Sequence, residues 1–174
     1  MKKMALLLSL PLTAGLLVAQ SAADPISGGI KGTYNSIKNN LLKSADKMTE
    51  ENYAFKPTPE VRSYGQLVGH LADAQYLFCS AVLGEKNPAP GIEKSKTSKA
   101  DLVQALKDGF AYCDKAYDGM TDAHAGEMVK FFGREMAKVP VLALNNAHNN
   151  EHYGNIVTYL RIKGLVPPSS EGRK

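Results

Sequence analysis

The chain has 174 residues, with 44% apolar and 22% charged side chains, two cysteines and no tryptophan. That composition describes one ordinary globular domain, leaves no room for two full-sized domains and argues against a disordered or collagen-like chain, and a domain of this length needs no disulfide scaffold to fold. The formal charge is +4, from 21 Lys and Arg against 17 Asp and Glu, with no basic run on one face, so no nucleic-acid partner is expected.

Met1-Lys2-Lys3-Met4 is a short basic start, and an apolar run from Ala5 to Ala19 follows it. Ser21, Ala22 and Ala23 then offer the small residues of a cleavage site, which marks residues 1–23 as an export signal. An uncleaved anchor is the alternative. Pro11, Thr13 and Gly15 interrupt the run, however, and it falls short of the roughly 20 residues a bilayer span needs. Cleavage removes Lys2 and Lys3, leaving 19 positive against 17 negative residues. Residues 24–174 then form one domain, periplasmic or secreted, with no later stretch apolar enough to hold it in a membrane.

Four segments carry apolar residues at helical spacing, and none alternates like a strand. The first holds Ile30, Tyr34, Ile37, Leu41 and Ala45, after Pro25 and the Gly28-Gly29 pair, and Pro57 and Pro59 exclude its continuation. The second starts near Arg62-Ser63, carries Leu67, His70, Leu71, Ala74, Leu77, Phe78 and Ala81, and ends at Gly84. The third opens at Ser98, with Asp101 placed to complete a capping box, and shows Leu102, Leu106, Phe110, Cys113 and Tyr117. The fourth starts around Pro140 and runs through Val141, Leu144, His148, His152, Ile156 and Leu160 to Gly164. Four amphipathic helices predict an all-α four-helix bundle. The connections Glu85–Thr97 and Thr121–Val139 are long enough for crossovers, so neighbouring helices need not be antiparallel. Phe131, Phe132, Met128 and Met136 are expected to cover one end of the bundle. Lys94-Ser95-Lys96 reads as a solvated loop, and the tail beyond Pro167-Pro168 as loose at its end.

His148-Asn149-Asn150-Glu151-His152 sets two imidazoles four residues apart, on one helix face about 40° from each other. His70 lies on the apolar stripe of the second helix and faces the same interior. The alternative for each is a packed histidine bonded to a carbonyl or carboxylate. Three of them in one small core, however, need a partner for every ring nitrogen. One divalent metal meets three acceptor nitrogens at once, and three His ligands leave a coordination position free for chemistry. Zn, Ni and Fe all suit imidazole, and the sequence does not choose among them.

The pentapeptide also matches the H-x-x-E-H peptidase signature, which needs a further acidic ligand well downstream. Glu171 is the sole acid after His152, and it lies in the tail, so a peptidase is disfavoured. Glu151 projects about 100° away from His152 as a solvent-facing residue, with a general-base role left open. His124 falls in a loop and reads as solvated. No catalytic residue is assigned.

These residues together resemble the DinB-like (YfiT-like) metalloenzymes, which are small four-helix bundles. Tyr53-Ala54-Phe55-Lys56-Pro57 with Val61-Arg62-Ser63, and Val68-Gly69-His70-Leu71-Ala72-Asp73-Ala74-Gln75, carry part of the likeness. The strongest carrier is His148-Asn149-Asn150-Glu151-His152-Tyr153-Gly154-Asn155, continuing into Tyr159-Leu160-Arg161 and Val166-Pro167-Pro168. The resemblance implies a divalent metal held by His70, His148 and His152. It also implies up-down-down-up topology, with the second and third helices parallel. Activities of such proteins include thiol S-transfer and thiol-dependent isomerisation. Export sets this chain apart, because low-molecular-weight thiols are scarcer outside the cytoplasm.

That topology bears on the cysteines. Cys79 lies 16 residues after Ser63 and Cys113 lies 15 after Ser98, so parallel helices starting level would bring the sulfurs to similar heights. Antiparallel helices could not bridge them. An oxidising compartment favours the bridge, two buried free thiols are the alternative, and metal ligation by either Cys is disfavoured. The expected function is a metal-dependent hydrolase or transferase acting on a small molecule. A non-catalytic metal- or ligand-binding bundle is the alternative, and a homodimer is left open.

Overall fold

The computed structural model describes residues 24–172, so the export signal expected over residues 1–23 lies outside the described residues. Four long helices carry the core: α1 (Pro25–Lys47), α2 (Tyr64–Leu83), α4 (Lys99–Asp118) and α5 (Lys138–Ile162). A short helix α3 (Ile92–Ser95) sits in the crossover from α2 to α4. The crossover from α4 to α5 holds a hairpin of β1 (Met128–Phe131) and β2 (Arg134–Ala137). Among the described residues, no helix is long and apolar enough to cross a membrane.

Contacts between helices set their directions. Passing up α2, Gly65 faces Leu102, Ala72 faces Gly109, and Cys79 is disulfide-bonded to Cys113, so α2 and α4 run parallel. Tyr34 meets Phe110 and Asp114 while Asp46 meets Lys107, which makes α1 antiparallel to α4. Tyr159 bonds Arg62 O and Asn149 bonds Gln75, so α5 runs antiparallel to α2. The result is the up-down-down-up bundle. Its parallel pair brings the Cα atoms of Cys79 and Cys113 to 5.2 Å, within disulfide range, and the two sulfurs are joined.

Helix ends show how local sequence and tertiary contact share the work. Ser63 and Gln66 form a full capping box at α2: Gln66 N donates to Ser63 Oγ at 3.1 Å, and Ser63 N to Gln66 Oε1 at 2.8 Å. At α4 the box is half made. Ser98 Oγ accepts from Asp101 N, but the Asp101 carboxylate takes the Ser98 hydroxyl instead of its backbone amide. Helix α1 starts at Pro25, so Gly28 and Gly29 lie inside it rather than before it. The distant Asp122 explains this: its carboxylate accepts from Ile26 N, Ser27 N and Ser27 Oγ, satisfying amides a helix start leaves unpaired.

Three further expectations are corrected. The α4–α5 crossover is not free of strands. Phe132 and Gly133 both take positive φ, 47° and 74°, which makes the two-residue turn that suits a twisted hairpin. Only Phe131 of the expected apolar cover is buried, against Phe78, whereas Phe132 is 74% exposed. Lys94 and Ser95 belong to α3 rather than to a loop. Within the described residues the tail is held: Lys47 bonds Val166 O and pairs with Glu171, and Ser169 N donates to the Tyr153 hydroxyl. The end expected to be loose, residues 173–174, lies outside them.

Buried polar groups fix how α5 sits on its neighbours. Gln75, Asn145 and Asn149 are fully enclosed, and a displaced register would leave their amides without partners. Gln75 Nε2 donates to Asn149 Oδ1 at 2.8 Å, and Asn149 Nδ2 donates to Asn145 Oδ1 at 3.2 Å. The Tyr117 hydroxyl reaches Asn145 Oδ1 at 2.9 Å from α4, under a ring stacked on Tyr34.

Candidate metal centre

This amide network sets the height of α5 against α2, and with it the meeting of three imidazoles. His70 comes from α2, while His148 and His152 stand one turn apart on α5. His148 Nε2 is 3.0 Å from His70 Nε2 and 3.2 Å from His152 Nε2. One ligand atom from each ring lies within 4.8 Å of the other two. All three residues expected from the sequence are therefore brought together.

Burial pushes all three imidazoles below their ordinary pKa, and for His148 the fall reaches about 4. Burial is the largest cause at each; the neighbouring rings add to it at His148 and His152 by disfavouring a second positive charge, and the Arg62 guanidinium does so at His70. At neutral pH the rings are uncharged. Each then has one N–H and one lone pair. With the proton on Nδ1, three Nε2 lone pairs crowd one point and repel one another, and a cation relieves that repulsion. A proton shared between two nitrogens would serve only one pair. The donor set therefore fits a divalent metal.

The Nδ1 atoms are held unequally. His70 Nδ1 lies 3.3 Å from Glu93 Oε2, and Arg62 Nε donates to Glu93 Oε1 at 2.8 Å. His152 Nδ1 has Asn155 at 3.4 Å. His148 Nδ1 is buried with no protein partner, and its ring is packed beside Phe78. A carboxylate behind a ligating histidine fixes its tautomer and orientation.

Sequence reasoning missed Glu93, because it arrives from the α2–α4 crossover. Two features of α2 bring it in. Asp73 accepts from the amides of Gly91, Ile92 and Glu93, each at 2.8 Å, and so clamps the start of α3. Gly69 leaves the space: a Cβ there would stand 2.8 Å from Glu93 Cα. The available signal was Gly69 and Asp73 flanking His70 in one motif, but nothing in it names the acceptor's partner.

Other candidates stay apart. His124 is exposed in the loop after α4 and pairs with Glu127. Glu151 is exposed and shares a cavity wall with His152, without bonding to it. The disulfide takes both cysteines out of consideration as ligands.

Two cavities reach the centre. One, of about 790 Å³, is bounded by His152, Arg62, Lys56, Glu60 and Glu151. The other, of about 360 Å³, is bounded by His70 and His148. A cluster of three histidines between the antiparallel helices α2 and α5, with a cavity on either side, defines a small helical bundle whose imidazoles could hold a metal ion. The chain belongs to the DinB superfamily, whose family model matches residues 34–156. It is 26% identical over 141 residues to the uncharacterized protein YjoA of Bacillus subtilis (strain 168), covering 79% of this chain and 91% of that one. The crystal structure of a DinB-like protein from Bacillus cereus ATCC 10987 superposes with a TM-score of 0.71 at 21% identity, covering 81% and 95% of the two chains. That of the DinB-like YjoA from Bacillus subtilis gives 0.66 at 24% identity, covering 79% and 93%.

Proposed function

We propose that this protein is an exported, metal-dependent enzyme acting on a small molecule, with one divalent cation held by His70, His148 and His152. The observation that supports it most is the convergence of one ring nitrogen from each of three histidines beside two solvent-open cavities. A cation bound there would supply Lewis-acid polarisation of a carbonyl, phosphoryl or thiol group. Zn, Ni and Fe are the candidates that imidazole ligands favour.

The chain's own residues do the positioning. Glu93 orients His70, and Arg62 holds Glu93 in place. Lys56 and Arg62 put positive charge in the wall of the wider cavity, where an anionic group of the substrate would be drawn. Glu151, in that same wall, is the group placed to take or give a proton. Hydrolysis and thiol transfer both suit this arrangement. The basic start with its apolar run supports export, and the Cys79–Cys113 disulfide suits an oxidising compartment.

The test is elemental analysis of the processed protein, purified without a histidine tag or chelating column, beside His148→Ala. About one equivalent of metal per chain is expected, with loss in the variant. No uptake after loading with Zn, Ni or Fe overturns the reading.

A further inference from the structure

We infer that the smaller cavity, beside His70 and His148, seats an alkyl or aryl arm of the substrate, carried next to the donor group that meets the histidines. This rests on the metal-dependent reading above and names the substrate class for it.

The chemistry of the wall is the first reason. Ala74, Leu77 and Phe78 of α2, Pro90 of the crossover and Phe132 of the hairpin tip present apolar surface to the space. The polar groups there are largely spent on the protein. Asp73 gives both oxygens to the α3 amides, and Asn87 Oδ1 accepts from Ala89 N. Besides the Asn87 NH2, the polar groups left to a ligand are the two imidazoles. An occupant is therefore matched by being apolar along its length and electron-rich at the end facing the histidines.

Exposure is the second reason. Phe132 is 74% exposed and Leu77 39% exposed, so apolar surface is open to water directly beside the histidines. Phe132 also holds φ 47°, a left-handed conformation that Asn or Gly adopts with far less strain. One part of the ring packs on Phe131, centroids 4.3 Å apart, and the rest of it walls the cavity. The contrast with the wider cavity is the third reason. Lys56, Glu60, Arg62 and Glu151 make that side charged. A substrate at the centre is thus sorted by polarity, its apolar arm to one side and its charged part to the other. At about 360 Å³, the apolar side holds a short alkyl chain or one ring.

The experiment titrates the Zn2+-loaded protein with aceto-, butyro- and hexanohydroxamate, which share a metal-seeking head and differ in alkyl length. Affinity measured by calorimetry is expected to rise about two- to fourfold per added methylene, as burial of a CH2 group predicts. Phe132→Asn keeps a residue suited to positive φ and removes the ring. It is expected to weaken hexanohydroxamate about tenfold while leaving acetohydroxamate unchanged. Zn2+ retained with affinity independent of alkyl length overturns the cavity assignment alone, as does a length dependence that Phe132→Asn leaves intact. A protein that holds no Zn2+ and binds no hydroxamate overturns the metal reading as well.

Discussion

Glu93 Oε2 stands 3.3 Å behind His70 Nδ1, on the far side of the ring from the nitrogen that faces His148. Neither neighbouring histidine has a carboxylate in the equivalent place: His152 has an amide and His148 has nothing. Orientation of the trio from outside is therefore concentrated at His70.

Glu93→Ala is expected to weaken metal binding about 10–100-fold, the usual cost of removing such a partner. Glu93→Gln keeps an acceptor oxygen and should recover part of the loss. Competition against a chelating dye reads both. Equal affinity in wild type and Glu93→Ala would sink the role assigned to this carboxylate.

Protons should compete with the folded state in a defined window. The metal-free protein has all three imidazoles depressed, His148 to about 4 from an ordinary 6.5. Below pH 6.5 the unfolded chain takes up protons that the folded one refuses, so stability is full above that value and is lost as pH falls toward 4. Burial raises the Tyr34, Tyr64 and Tyr117 hydroxyls above their ordinary 10.0, which has the opposite sign and removes stability as pH climbs past 10. Thermal unfolding of chelator-treated protein should give a plateau between these limits and a lower Tm at pH 4.5 than at 7.5. A flat profile from 7.5 to 4.5 would contradict the burial of the histidines.

Periodicity carried the four long helices and the three histidines, since apolar stripes and an i, i+4 pair are local patterns. What it could not carry depends on contacts between distant segments. The capture of the Ile26 and Ser27 amides by Asp122 extends α1 through two glycines that locally read as a break. Glu93 acquires its place only because Asp73 and Gly69 dock α3 on α2. The β1–β2 hairpin has a different cause: Phe132 is an uncommon residue at a positive φ, so Phe132-Gly133 gave a weak turn signal. Up-down-down-up order came from the family resemblance, and the Cys79–Cys113 pairing followed only once α2 and α4 were parallel.

That disulfide joins helices that are neighbours in space but separated by a long crossover. Its sequence separation of 34 residues predicts a stabilisation of about 3–4 kcal/mol from the reduced freedom of the unfolded chain. Denaturant unfolding of the Cys79→Ser/Cys113→Ser double variant should show a loss of about that size, with cooperative folding retained. A loss under about 1 kcal/mol would mean that packing between α2 and α4 already restrains the unfolded chain to the same extent.

The enclosed amides make a prediction that separates register from ligation. Gln75 is fully buried, bonds Leu71 O on its own helix, and meets Asn149 and Asn145 on α5. Gln75→Leu preserves volume but leaves Asn149 Oδ1 and Asn145 Nδ2 without their Gln75 partner in the core, at a cost of about 1–3 kcal/mol. Because Asn149 adjoins His148 and lies one turn before His152, any slip of α5 that rescues those groups carries two of the three histidines with it. The variant should therefore lose metal affinity although it touches no ligand. Additional substitution of Asn145 and Asn149 by Leu removes the stranded groups, and stability should return while the register stays loosely specified. Chemical denaturation and metal competition on both variants measure the two effects separately. Unchanged metal affinity in Gln75→Leu, alongside the expected loss of stability, would show that packing of α5 alone holds the histidines in place.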